Sequence, residues 1–158
     1  MHSERRSRSE DGFTLVELMV VVLLIGILIA IGLPVFLGAK TRSQERAAQA
    51  QLRTGLIASL THWSEGATFT NFDQACTAVA DSCVIAEANE SAVDWVGSGQ
   101  PAQGQVSVVY AQGNSLLLVI QGGTGEFFCI AQSTGRSDRG RGAIFADVND
   151  LLECVGGW

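Results

Sequence analysis

Lysine and arginine are absent from the middle of this chain, since none lies between residues 54 and 135. The 158 residues carry 10 basic and 16 acidic side chains, which gives a formal net charge of −6. General nucleic-acid binders are usually basic, so this composition argues against that class. The local acidity suits an exposed extracytoplasmic domain, although solubility alone would explain it equally well.

Common catalytic motifs are absent as well: the sequence holds no G-x-S-x-G, HExxH or P-loop pattern. Beyond the N-terminal segment the one histidine is His62, and Trp63 beside it indicates helix packing rather than a catalytic base. We therefore expect a protein that is not an enzyme and that has no cofactor and no metal site.

Two polar segments near the C-terminus have a functional and a simpler interpretation. The segment "ADVNDLLE" offers Asp147, Asn149 and Asp150 as oxygen ligands that would suit Ca²⁺, but it lacks the EF-hand order and glycine. The segment "GRSDRGRG" presents three arginines that could contact DNA phosphates. In both cases a solvated loop is the favoured interpretation.

A long apolar run dominates the N-terminal quarter of the chain. Residues 18–39 are 22 consecutive uncharged residues, enough for a helix of about 33 Å that crosses a bilayer. Glu17 stands at the edge of this run, where its carboxylate is costly to place near hydrocarbon. The position of this charge requires an explanation.

The segment before the run, "MHSERRSRSEDG", carries three arginines and three acidic residues and has no apolar stretch of its own before Gly12. Removal by ordinary signal peptidase is therefore not expected. Arg5, Arg6 and Arg8 favour a cytoplasmic N-terminus, whereas Lys40 and Arg42 oppose that orientation. The cysteines beyond the run favour the orientation in which the C-terminal body is exported.

All four cysteines, Cys76, Cys83, Cys129 and Cys154, follow the apolar run. Their spacings do not match a zinc site, and an even number beyond a membrane segment indicates two disulfides in an oxidising compartment. Four free thiols in a cytosolic protein are the alternative. Four cysteines allow three pairings, of which Cys76–Cys83 with Cys129–Cys154 is the economical choice.

The helical pattern continues past the apolar run into a polar segment. Ala48, Leu52, Leu56, Leu60 and Trp63 are spaced four, four, four and three residues apart and form one apolar stripe. We therefore predict a single helix from Phe13 to about Trp63, which Gly32 and Pro34 should bend.

Three strand-like runs follow, at residues 106–112, 115–121 and 126–132. Gly113-Asn114 is a two-residue hairpin signal between the first two, and "GGTG" joins the second and third. We predict a three-stranded antiparallel meander on the amphipathic half of the helix, and hence an α+β fold. The last 26 residues are predicted to be a surface loop and then a short turn or helix that carries Cys154.

The stretch "GFTLVELMVVVLLIGILIAIGLP" resembles the N-terminus of a type IV prepilin. In that family a prepilin peptidase cuts after the glycine and methylates the new N-terminal phenylalanine, which here implies cleavage between Gly12 and Phe13 and methylation of Phe13. The family's glutamate falls on Glu17 and its helix-bending proline on Pro34. Cys129 and Cys154 resemble the pair that closes the family's C-terminal disulfide-bounded loop.

This resemblance gives Glu17 a role. Cleavage before Phe13 creates a positive amine, and the amine of a neighbouring subunit could pair with Glu17 in a filament, which offsets its desolvation and fixes the axial register. The alternative is a carboxylate that merely snorkels to the membrane surface.

The resemblance implies four segments: a cleaved leader at residues 1–12, a transmembrane and filament-core half at 13–39, an amphipathic half at 40–63 and an extracytoplasmic head at 64–158. The expected function is a structural subunit of a type IV pilus or related filament. It would be held in the cytoplasmic membrane with its N-terminus inside, and extracellular after assembly.

The expected partners are other pilin subunits, the prepilin peptidase and the membrane assembly machinery, with nucleic acid a partner only if the filament serves DNA uptake. One alternative is a pseudopilin of a type II-like secretion system. Another is a bitopic membrane-anchored enzyme or binding protein whose anchor only resembles a pilin.

Overall fold

Residues 12–73 and 83–158 are described by the computed structural model, in which the chain separates into two units, Met1–Ala39 and Lys40–Trp158. Cys76 and all but the last residue of the expected leader lie outside the described residues.

The first helix, α1, runs from Leu15 to Gly66 and confirms the predicted long helix to within three residues at each end. Thr14 precedes it as the N-cap. At the other end the backbone N–H of Ala67 donates to the carbonyl of Trp63 over 2.6 Å, and Ala67 takes a φ of 53°. A left-handed residue directly after a helix is the usual way to satisfy its last carbonyls, so the helix stops there.

Within Met1–Ala39, α1 is apolar on all sides, and residues 12–37 are all exposed. It is long and apolar enough to cross a membrane by length and composition. Pro34 lies inside the helix; whether it bends the chain, as the sequence analysis expects, stays a prediction.

Within Lys40–Trp158, α1 buries a stripe of mostly small residues: Ala48, Leu52, Gly55, Ala58 and Ser59. The predicted stripe is correct at Ala48 and Leu52, and Leu56 is partly buried against the same core. It is wrong at its end, because Leu60 and Trp63 keep 39% and 38% of their surface exposed. Small side chains let the helix backbone approach the sheet closely, and this closeness decides which side of the helix turns inward.

A five-stranded sheet forms the body of this unit, in the spatial order β1-β2-β3-β4-β5. The parallel pair is β1 with β2, and every other neighbouring pair is antiparallel. The strands are Asp94–Val96, Gln105–Gln112, Ser115–Gln121, Phe127–Ser133 and Arg136–Gly142. A short helix, α2, spans Val84–Asn89 before β1.

The predicted meander is confirmed as β2, β3 and β4, with Gly113-Asn114 between the paired ends Gln112 and Ser115. The sequence did not indicate the two outer strands or α2. The prediction of a loop over β5 is wrong, because Arg136–Gly142 pairs along its whole length with β4. Its arginines, glycines and serine are poor strand formers, so pairing with a formed neighbour, not propensity, makes this strand.

Alternate residues of β3 enter two apolar layers on opposite faces of the sheet. Leu116, Leu118 and Ile120 pack with Leu52 on the helix side. Leu117 and Val119 pack on the other side with Val148, Phe145 and Leu151 from the C-terminal segment, where η1 spans Phe145–Asp147. The predicted short turn that carries Cys154 is confirmed, because the backbone N–H of Cys154 donates to the carbonyl of Asp150 over 3.2 Å. The C-terminal segment thus covers the second face of the sheet.

Candidate functional site

Thr14 and Glu17 hold the start of α1 through reciprocal hydrogen bonds. The Thr14 backbone N–H and hydroxyl donate to Glu17 Oε2 over 2.9 and 2.7 Å, and the Glu17 backbone N–H donates to Thr14 Oγ1 over 3.2 Å. This is a capping box, in which two helix-end donors are satisfied by each other's side chains. The carboxylate of Glu17 is thus fixed at the N-terminal end of the helix.

Sequence reasoning missed this role although its signal is visible. The residues Thr14-Leu15-Val16-Glu17 match the T-x-x-E pattern that marks a helix start before an apolar run. Helix capping therefore explains part of the unusual position of Glu17, because its carboxylate caps the helix and interacts favourably with the N-terminal end of the helix dipole.

Gly12 and Phe13 precede α1 in backbone that belongs to no helix or strand. Phe13 is 84% exposed, and a Cβ added at Gly12 would meet no atom within 4 Å. A peptide bond outside regular structure is accessible to a protease. The predicted cleavage and methylation residues, Gly12 and Phe13, lie directly before the capping box, five and four residues from Glu17.

The apolar half of α1 that follows is uncovered. Its most apolar 18-residue window has no residue buried within the described chain. Large side chains such as Leu18, Val22, Ile29 and Phe36 each expose more than half of their surface. An apolar surface around the whole helix is stable only against lipid or against other helices.

A family profile described as the prokaryotic N-terminal methylation motif matches residues 7–33. The match covers the glycine, the phenylalanine, the capping box and most of the apolar run. The N-terminal segment of this chain is therefore similar to that of type IV pilin-like proteins.

A relative supports the same conclusion. The type IV major pilin protein PilA of Myxococcus xanthus (strain DK1622) is 38% identical to this chain over 72 residues. The alignment covers 46% of the pilin-like chain and 33% of that relative, so the chain spans about a third of the length of the protein it matches. No solved structure matches.

The disulfide predicted for the C-terminal part of the pilin-like chain is confirmed. Cys129 of β4 and Cys154 are bonded, with their Cα atoms 5.8 Å apart and a sequence separation of 25, and both are fully buried. The loop they close contains β5 and η1. Cys83 is also disulfide-bonded, and the described residues contain no free cysteine.

The remaining residues considered in the sequence analysis have structural roles. His62 Nε2 lies 3.3 Å from the carbonyl oxygen of Thr70, and its ring packs on Phe72 at 5.6 Å between centroids. Asp147 Oδ2 accepts the backbone N–H groups of Ala143 and Ile144 over 3.0 and 3.2 Å. Within residues 12–73 and 83–158, no three histidine, cysteine or acidic side chains are grouped to hold a metal ion.

Proposed function

We propose that this chain is a structural filament subunit that is cut between Gly12 and Phe13, methylated on Phe13 and polymerised through the apolar half of α1. The observation that carries the proposal is the methylation motif at residues 7–33, which includes the first part of an apolar helix that the described chain leaves bare. An anchor alone would need the apolar run but not the glycine, phenylalanine and glutamate placed before it.

The same apolar surface would serve two states in turn. About 20 apolar residues are needed to span hydrocarbon, and residues 18–39 satisfy that length. Before assembly, lipid would cover the apolar half of α1. In a filament, the helices of other copies would cover it instead. Since both environments are apolar, transfer between them exposes little apolar surface to water.

Orientation and partners follow from this proposal. The N-terminus would lie on the cytoplasmic side, where a prepilin peptidase would act, and the unit Lys40–Trp158 would lie outside, which agrees with its buried disulfide. The partners would be further copies or related subunits and the assembly machinery of the membrane.

Glu17 would set the register between neighbouring copies. Both hydrogen bonds to its carboxylate reach Oε2, and the described residues give Oε1 no hydrogen-bond partner. Cleavage before Phe13 would create an amine at the helix end where this carboxylate is held. A neighbour's amine pairing with Oε1 would offset the desolvation of Glu17 and leave the capping box intact.

Three variants expressed as sole subunit test the pairing. Glu17→Gln removes the charge but keeps a residue that can complete the capping box. Glu17→Val removes the charge and the capping side chain. Thr14→Val removes the capping hydroxyl but keeps the charge of Glu17. We expect normal amounts of mature membrane subunit for all three, because none adds charge to the apolar run, and almost no sheared filaments for the two Glu17 variants only.

Other results would change the assignment of Glu17. Filament formation by Glu17→Gln but not by Glu17→Val would assign it a capping role alone. Normal filament numbers for both would leave it as a tolerated charge at the membrane surface. Gly12→Leu is the processing control, which should insert but keep its leader by N-terminal mass spectrometry.

The pseudopilin alternative rests on a Ca²⁺ site in the C-terminal segment. There Asp147 is engaged with two backbone N–H groups, and Asp150 Oδ1 accepts the N–H of Leu152 over 2.8 Å. These hydrogen bonds order the segment through its own backbone N–H groups, and the pseudopilin stays the alternative that Ca²⁺ binding would favour.

A further inference from the structure

Charge is segregated across the sheet of the pilin-like chain. Between residues 54 and 135 there is no lysine or arginine, whereas seven acidic residues occur there: Glu65, Asp73, Asp81, Glu87, Glu90, Asp94 and Glu126. The elements α2 and β1 to β4 therefore carry no positive side chain. Three arginines lie on β5, and β1 and β5 are the outermost strands at opposite edges of the same sheet.

The edge at β1 is acidic. Glu87 on α2 and Asp94 on β1 are exposed. Glu90 between them is half-buried, and its carboxylate accepts the backbone N–H of Ala92 over 3.1 Å. Glu87 and Asp94 thus present two negative charges, and these elements have no cation to neutralise them.

The edge at β5 is basic on the side that faces α1. Arg139 and Arg141 alternate with Gly140 and share a face of the strand, opposite Ile130 and Phe128 of β4. The guanidinium carbons of Arg53 on α1 and of Arg139 lie 5.0 and 5.4 Å from the ring centroid of Trp158. Cation–π contact orders both guanidinium groups and leaves their N–H donors available.

These positive charges have no acidic partner within the described chain. There, the one side-chain ion pair joins Arg136 to Asp138. Arg53, Arg139 and Arg141 are exposed and unneutralised, in a chain whose formal net charge is −6.

We propose that the β5 edge of one copy, with Arg53, Arg139 and Arg141, contacts the β1 edge of the next copy through Glu87 and Asp94. This inference rests on the proposed function. Because the two patches lie on opposite edges, each copy offers one patch to each of two neighbours. Such a head-to-tail contact repeats without using the same patch twice and suits an open filament.

The contact is made by side chains and not by an added strand. The free side of β5 is already occupied, since Gly140 pairs with Gly156 and the N–H of Gly157 donates to the carbonyl of Arg139 over 2.8 Å. Backbone pairing with a second copy is blocked there. Specificity must come from the arginines and their acidic partners.

Charge reversal at each edge tests the contact in the full chain expressed as sole subunit. The variant Arg139→Glu with Arg141→Glu makes both edges acidic, and Glu87→Arg with Asp94→Arg makes both edges basic. Each alone should yield at least about tenfold fewer sheared filaments per mature subunit, which corresponds to about 1.4 kcal/mol per contact. Co-expression should restore filaments in which the two variants alternate.

The control is Glu65→Arg, which makes one of the two acid-to-arginine changes of the basic-edge variant at an exposed position on α1. It should assemble like wild type. If Arg139→Glu disturbs the head by losing the Trp158 contact, Arg141→Glu alone takes its place. The yield of wild-type filaments should also fall as NaCl rises from about 0.1 to 1 M, because salt screens exposed pairs.

Normal assembly of either reversed variant, or a mixture of the two that stays without filaments, would overturn the inference. A wild-type chain that forms no filaments would instead refute the proposed function. The two failures are therefore distinguishable in one set of strains.

Discussion

The two halves of α1 differ in how they meet their surroundings, although they belong to one continuous helix. Residues 12–37 are exposed on every side and almost entirely apolar. Past residue 40 the helix is largely polar and buries one narrow stripe that contains Ala48, Leu52 and Gly55. The first half has no preferred face, and the second half has one.

This difference indicates what each half has to bind. A helix with a single buried stripe is satisfied by one sheet, and the sheet is present in the same chain. A helix that is apolar all round must be surrounded, which one small head cannot do. The protein therefore carries its own partner for one half, whereas the other half needs an apolar environment that the described chain does not supply.

The sharpest test of this comparison is to remove the same atoms from each half. Leu52 is fully buried, so Leu52→Ala should lower the free energy of unfolding of the head by about 2–5 kcal/mol. Leu28 is 70% exposed, so Leu28→Ala should leave it unchanged within about 0.5 kcal/mol. Denaturant unfolding in detergent, followed by the fluorescence of buried Trp95, measures the free energy of unfolding of both variants. An equal decrease in the two would contradict the difference between the two halves.

The disulfide should act on the head alone. Replacing Cys129 and Cys154 by serine should reduce head stability by about 2–4 kcal/mol in the chain-entropy account, while membrane retention through the first half stays normal. Thermal unfolding measures the stability of the head, and membrane fractionation measures membrane retention. Non-reducing peptide mapping that joins Cys76 to Cys129 or Cys154 would contradict the pairing.

Replacing a glycine by alanine should change stability in opposite directions in the two halves of α1. A Cβ at Gly55 would lie 3.0 Å from Trp95 Cη2, and the overpacking cost of about 1–3 kcal/mol exceeds the helix-propensity gain of about 1 kcal/mol. Gly32 has no atom within 4 Å of such a Cβ, so Gly32→Ala should keep the gain. The free energy of unfolding of the detergent-solubilised subunit measures both effects. A higher free energy of unfolding for Gly55→Ala would refute the close packing of helix and sheet.

The smallest effect is expected at the helix start. Thr14→Val removes the capping hydroxyl and should speed hydrogen exchange of the first-turn amides about fivefold, for a loss of about 1 kcal/mol. Thr54→Val is the control, since the Thr54 hydroxyl only donates to the Ala50 carbonyl over 3.2 Å. Equal exchange in both variants would mean that the capping box does not hold the helix end.

The sequence was sufficient where periodicity was strong. The long helix and strands β2, β3 and β4 follow from apolar patterns and the Gly113-Asn114 turn. Strand β5 was missed because Arg136–Gly142 has no apolar alternation and exists only through pairing with β4. The signal that precedes it, Thr134-Gly135 between the paired residues Ser133 and Arg136, is a two-residue turn that the polar composition concealed.

The candidate site was only partly predictable for a similar reason. The motif identified Gly12, Phe13 and Glu17, whereas the hydrogen bonds from Thr14 were missed although the T-x-x-E spacing of Thr14 and Glu17 indicates them. Which side of α1 turns inward after Leu52 depended on the close approach of Gly55 to Trp95, a tertiary contact that helical spacing does not encode.

Electron microscopy of fibres sheared from cells that express this chain as their sole subunit, with mass spectrometry of the fibre protein, tests the central claim most directly. The account predicts fibres built from a chain that begins at Phe13, carries one added methyl group and lacks residues 1–12. Abundant membrane protein that keeps its leader and forms no fibres would contradict it, and would leave the apolar half of α1 as an anchor alone.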